Sequence, residues 1–178
     1  LLPSSLKVLG EEILSGPIRL IVETTDEVID TTMTKTPAIV VDSMGIISNM
    51  KGSVSGKQLT IEVEGEIEFD GFCYFRFTFK PVGSGPVNIR RIVFEVPIKR
   101  QYAELYNDSS YNMFTTKSGS IPPSGMSLPA TGSIRVGDTY RGIQFYPVCS
   151  AMGRVDTSTP LTFTPSGDNT AVVMQYVI

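Results

Sequence analysis

Period-two alternation of apolar and polar residues dominates this chain, and helical periodicity is nearly absent. The clearest run is 59–69, where Leu59, Ile61, Val63, Gly65, Ile67 and Phe69 alternate with Thr60, Glu62, Glu64, Glu66 and Glu68. One face is apolar and the other acidic, which predicts a strand lying on a core with its back to water. The next run, 72–80, puts Cys73, Phe75, Phe77 and Phe79 on one face and Tyr74, Arg76, Thr78 and Lys80 on the other. Residues 87–97 repeat the theme, and Pro97, which has no amide donor, is expected to end pairing there. Further extended segments are predicted over 18–24, 38–41, 44–47, 133–136, 141–149, 161–164 and 170–178, with a short apolar run at 6–14. Residues 99–106 offer the one plausible helical turn. Turns rich in Gly, Pro, Asn, Asp and Ser separate these pieces, as in a sandwich or barrel. The predicted fold is all-β: a single two-sheet antiparallel β-sandwich over 1–178, of jelly-roll or galactose-binding-like type, with little or no helix.

The connection between the two best strands follows from the cost of burying charge. A two-residue loop of Asp70-Gly71 would pair Phe69 with Phe72 and set Glu66 against Phe75 on a core face. A three-residue loop, Phe69-Asp70-Gly71 with Gly71 left-handed, shifts the register by one. Glu64 then faces Arg76, Glu66 faces Tyr74 and Val63 faces Phe77. The three-residue form is predicted. By contrast, 107–133 is expected to be one long irregular segment, rich in Ser, Thr, Gly and Pro, packed on its own domain or on a partner through scattered apolar residues.

Composition narrows the chemistry. The 178 residues suit one domain with a proper core. A net charge of -3 gives no basic footprint for nucleic acid. No apolar run approaches the ~20 residues of a membrane helix, and the first ten residues lack the pattern of a signal peptide. The absence of an initiator Met suggests a piece of something longer. With no histidine, His-based triads, His general bases and the usual zinc and iron ligand sets are excluded. Cys73 and Cys149, the two cysteines, form no CxxC motif. They are either two buried thiols or one disulfide in an oxidising compartment.

The carboxylates at 62, 64 and 66 share a strand face and are the most tempting chemical feature, as a calcium site or an acid–base pair. Side chains on a flat strand diverge, and cations on the next strand offer cross-strand pairs, so a solvated, ion-paired face is the simpler reading. Arg90-Arg91 point to opposite faces and make a poor anion cradle. No catalytic, cofactor-binding or metal-binding residue is assigned, and no cofactor is expected. The candidate ligand or partner contacts are Tyr74, Tyr111, Phe114, Tyr140, Arg141 and Tyr146. The tyrosines 74, 140 and 146 are the available substitutes for the Trp platforms that sugars favour, since the chain has no Trp.

The order LKVLGEEI, EGEIEFDGFCYFRFTFKP, VNIRRIVFEVPI and IRVGDTYRGIQFYP resembles the N-terminal β-sandwich of proteins related to glycoside hydrolase family 123, from about residue 6 to the end. The resemblance is carried by Asp70-Gly71, by Glu95-Val96-Pro97-Ile98, and by Gly137-Asp138 followed by Arg141-Gly142-Ile143. In that family an Asp-Glu pair on a following (β/α)₈ barrel cleaves N-acetylgalactosaminides, with the substrate acetamido group as nucleophile. Such a barrel takes roughly 250 residues, and no position here matches the catalytic pair. The resemblance therefore implies a non-catalytic accessory module with a scaffolding or glycan-contacting role, at the cell surface or outside the cell. Its partners would be an adjoining catalytic domain, another protein or a glycan. The alternative is a structural module of a virion or other surface assembly, for decoration or attachment.

Overall fold

The computed structural model describes residues 2–33, 38–41, 47–110, 117–128, 132–146 and 161–177. Among the described residues, sixteen strands make up nearly all of the regular structure, with two single 3₁₀ turns at Thr31–Met33 and Arg100–Tyr102. In chain order the strands are β1 (Lys7–Val8), β2 (Glu11–Glu12), β3 (Arg19–Thr24), β4 (Val28–Asp30), β5 (Ala38–Val41), β6 (Ile47–Ser55), β7 (Leu59–Glu68) and β8 (Cys73–Pro81). There follow β9 (Ile89–Lys99), β10 (Leu105–Ser110), β11 (Lys117–Ser120), β12 (Met126–Leu128), β13 (Gly132–Gly137), β14 (Gly142–Phe145), β15 (Leu161–Pro165) and β16 (Ala171–Val177). The chain is all-β, and the ladders are antiparallel. It divides into two compact units, one of residues 1–2 and 19–92, the other of 3–18 and 93–178.

The first unit is built on the meander β5-β6-β7-β8. Leu59, Ile61 and Val63 of β7 are buried on one face, with Val54 of β6 and Leu20, Val22 and Ile29 of the β3–β4 hairpin also buried. The acids between them face outward, as the alternation requires. Gly65 interrupts the apolar row because Met50 and Phe75 close over it: a Cβ there would lie 2.6 Å from the Met50 side chain and 2.9 Å from the Phe75 ring. The β7–β8 register is the one argued from charge burial, with Glu64 opposite Arg76, Glu66 opposite Tyr74 and Val63 opposite Phe77. The loop is closed by Glu68 N–H to Phe72 O (2.9 Å) and Gly71 N–H to Glu68 O (3.0 Å), and Gly71 has φ +90°. Within the same unit, the Glu27 carboxylate accepts the N–H groups of Lys57 (2.7 Å) and Gln58 (2.8 Å), fixing the β3–β4 turn to the β6–β7 turn. The Lys57 amide, then that of Gln58, holds the Glu27 carboxyl below its ordinary range.

The second unit is a two-layer sandwich. One sheet runs β11-β10-β13-β14, and the other contains β12-β15-β16-β9. Their inner faces meet through Phe94 stacked on Phe145, with ring centroids 4.9 Å apart, and through Tyr106 against Phe163 at 6.5 Å. Phe163, Met174, Val172, Ile98, Ile134 and Val136 are buried in this core. The antiparallel sandwich expected from the sequence is thus present.

Three expectations need correction. Residues 107–133 are not one irregular segment: β10 runs to Ser110, β11 spans Lys117–Ser120, β12 spans Met126–Leu128 and β13 begins at Gly132. β11 is held by ladder bonds to β10, β10 to β13 and β12 to β15, and the Ser, Asn, Asp and Gly of β10 and β11 leave those two strands little apolar alternation. Ile121 and Leu128 are buried, so the segment packs on its own unit. Pro97 does not end pairing, since β9 continues to Lys99 opposite Ala171. Pro97 O accepts the Ser15 amide (3.0 Å). A strand residue's N and O point to the same side, so the missing donor faces away from β16 and breaks no ladder bond. Finally, the run 6–14 is a hairpin, β1 and β2 joined by Leu9-Gly10, both at positive φ.

Candidate functional site

In the first unit, the outer face of β6, β7 and β8 is an ion-paired ladder up to a definite point. Lys80 pairs with Glu62 (2.6 Å), and Glu64 takes both Lys51 (2.8 Å) and Arg76 (3.7 Å). The Lys51 ammonium, hydrogen-bonded to it, holds the Glu64 carboxyl below the usual range. The Arg76 guanidinium also lies 6.0 Å from the centroid of the Tyr74 ring. Beyond Glu64 the cations stop: among the described residues neither Glu66 nor Glu68 has a basic partner. That end of the hairpin carries the exposed aromatics Phe69 (78%), Phe72 (58%) and Tyr74 (45%). Cys73 points to the opposite face, where burial, followed by the nearby Asp70 charge, pushes its thiol pKa up. A protonated thiol of that kind is a poor nucleophile. Cys73 is a free thiol, and Cys149 lies outside the described residues.

In the second unit the β13–β14 turn is built around Asp138. Its carboxylate accepts the N–H groups of Tyr140 (2.7 Å) and Arg141, and its other oxygen lies 3.2 Å from the Arg141 guanidinium. The Arg141 amide, then that of Tyr140, keeps the Asp138 carboxyl low. Arg141 also stacks over Tyr102 at 5.4 Å, and the Tyr102 hydroxyl donates to Glu11 (3.3 Å). Only glycine fits the strand ends here, because a Cβ on Gly137 would lie 2.1 Å from Arg141 O. Arg141 therefore clamps the turn, and its neighbour Tyr140 projects from the tip, 81% exposed. Tyr146 (56%) follows the far end of β14. At ~3.3 Å per residue it is too distant from Tyr140 for the two rings to share one sugar ring.

Among the six candidate contacts, Tyr140 and Arg141 share a turn, Tyr146 stands at the other end of the same strand, and Tyr74 belongs to the other unit. Tyr111 and Phe114 lie outside the described residues. Sequence reasoning missed Phe69 and Phe72, because alternation assigns them to strand ends without showing how open the loop is. Arg91 pairs with Glu23 (3.6 Å). Among the described residues no three His, Cys, Asp or Glu side chains converge as a metal site. A shallow groove along β12 and β15, with Ser124, Met126, Ser127, Thr162 and Thr164 on its walls, is lined by no ionisable side chain.

No curated protein and no solved structure matches the chain. A family model described as "Glycoside hydrolase 123, third domain" matches residues 4–128. The family is the one the motifs pointed to, but its matched part is the third domain where the resemblance implied the N-terminal one. The match also stops before Gly137-Asp138 and Arg141-Gly142-Ile143. It covers most of the chain, including the whole β5-β6-β7-β8 meander, and on that basis this chain belongs to the glycoside hydrolase 123 third-domain family.

Proposed function

We propose that the chain is a non-catalytic accessory domain of a glycoside hydrolase 123-type protein, and that its role is scaffolding through contact with adjoining protein. The observation that carries this reading is the family match over residues 4–128 to a third domain. The separation of Tyr140 from Tyr146 by the length of β14 supports protein contact over sugar contact, since a pyranose needs a ring platform with polar groups converging on it. The carboxylates of the ladder favour the same reading. Glu62 and Glu64 are tied to cations, and a general acid needs a carboxyl whose pKa is raised, whereas that of Glu64 is lowered.

The test is a calorimetric titration of the chain with N-acetylgalactosamine and N-acetylglucosamine oligosaccharides at millimolar concentration. The scaffolding reading expects no saturable heat. Saturable binding would replace it with a glycan-contacting role.

A further inference from the structure

Phe69, Phe72 and Tyr74 place three exposed aromatic rings within six residues at one hairpin end. Exposed apolar groups concentrated in this way mark interaction surfaces, and aromatic residues ringed by polar ones are typical of protein interfaces. The hairpin does not need them. Its turn is made by backbone bonds and by Gly71, and the Asp70 carboxylate caps it by accepting the Phe72 amide (3.0 Å). Phe72, just before β8, and Tyr74, two residues on, share the face on which Glu68 and Glu66 stand opposite them.

The charges on that face indicate the occupant. One rung down, Arg76 combines two contacts, the Tyr74 ring and the Glu64 carboxylate. The next two rungs repeat the components, ring and carboxylate, without a basic side chain from the described residues. We propose that this end of the β7–β8 hairpin docks a basic stretch of polypeptide, whose lysine or arginine side chains lie over Phe72 and Tyr74 and pair with Glu66 and Glu68. A cation in such a place gains both ring and ion-pair attraction, whereas an acidic partner is repelled by Glu66, Glu68 and Asp70. The proposal rests on the scaffolding reading and specifies which surface meets the partner and the chemistry of that partner.

The experiment titrates the full chain with N-acetylated hexalysine and follows backbone amide shifts by NMR. Saturable shifts confined to residues 64–76 are expected. Affinity should fall at least fivefold in Glu66→Gln/Glu68→Gln and, independently, in Phe72→Ala/Tyr74→Ala. Each pair replaces outward-facing side chains, so the unfolding midpoint should stay close to that of the parent. The aromatic pair is decisive, because a merely electrostatic attraction would ignore it. Shifts spread over every acidic surface, binding undiminished without the rings, or no binding overturn the proposal. Loss of this surface leaves the scaffolding reading standing if sugars also fail to bind. A neutral N-acetylglucosamine hexasaccharide that shifts the same amides and displaces the peptide overturns both.

Discussion

Leu9 sits at φ 53°, a conformation that costs a side-chain-bearing residue roughly 1–2 kcal/mol, and it is followed by Gly10 at φ 83°. Both positions of this two-residue turn are left-handed, the geometry that favours Asn-Gly. Because Leu9 is exposed, its side chain gives little packing energy in return. Leu9→Asn is therefore expected to stabilise the protein by about 1 kcal/mol, seen as a higher urea midpoint at unchanged slope. A lower midpoint would show that Leu9 makes contacts outweighing its backbone strain. The same residue explains why the first hairpin was illegible in the sequence: Leu-Gly carries only half of the turn signal, so 6–14 reads as one apolar run. Asp70-Gly71, by contrast, carries the full signal, and the bare cost of placing glutamate against phenylalanine fixed its loop length. For the candidate site, residue type alone suggested Arg141 as a contact. Its engagement with Asp138 and Tyr102 depends on how a turn folds back, which spacing does not encode.

Among the elements, legibility followed the strength of alternation. β7 and β8 have it, and their expected bounds agree with the observed ones to within one residue, whereas β6, β10 and β11 are too rich in Ser, Asn and Gly to show it. Their pairing is supplied by neighbours, β7 for β6 and β13 for β10, which a local pattern cannot reveal. The β7–β8 hairpin allows a sharp test of what determines its register. Deleting Phe69 leaves Asp70-Gly71 as a two-residue loop between Glu68 and Phe72, so every pair from Ile67–Cys73 inward is retained. Asp-Gly suits such a loop. The deletion is expected to keep the Glu64–Arg76 and Val63–Phe77 pairings, visible as cross-strand NOEs, and to change stability by no more than about 1 kcal/mol. Loss of those pairings would mean that the three-residue loop itself, rather than the avoidance of charge burial, sets the register.

At the scale of the whole molecule, several turns are tied by carboxylates that accept backbone amides, and these give the fold a common sensitivity to acid. In Asp168 the Ser166 hydroxyl, followed by the Thr170 amide and hydroxyl, lowers the pKa from 3.8 to about 2. Glu12 is lowered by the Ser5 hydroxyl and the Leu6 amide, and Glu27 and Asp138 by their amide donors. A folded-state pKa below the unfolded one contributes stability that is complete above the unfolded value and is lost as pH falls through the folded value. Asp168→Asn should thus be less stable than the parent at pH 6, and the gap should close between pH 3.8 and about 2. A gap that is constant across that window would deny Asp168 its role in the β15–β16 turn. The accessory role is a claim about the molecule as a whole, and it is met most directly by asking whether the chain turns over a substrate. The measurement is release of nitrophenol from nitrophenyl N-acetylgalactosaminide by the purified chain over a day. A rate indistinguishable from buffer at every protein concentration is expected; release proportional to the amount of chain would contradict the accessory role.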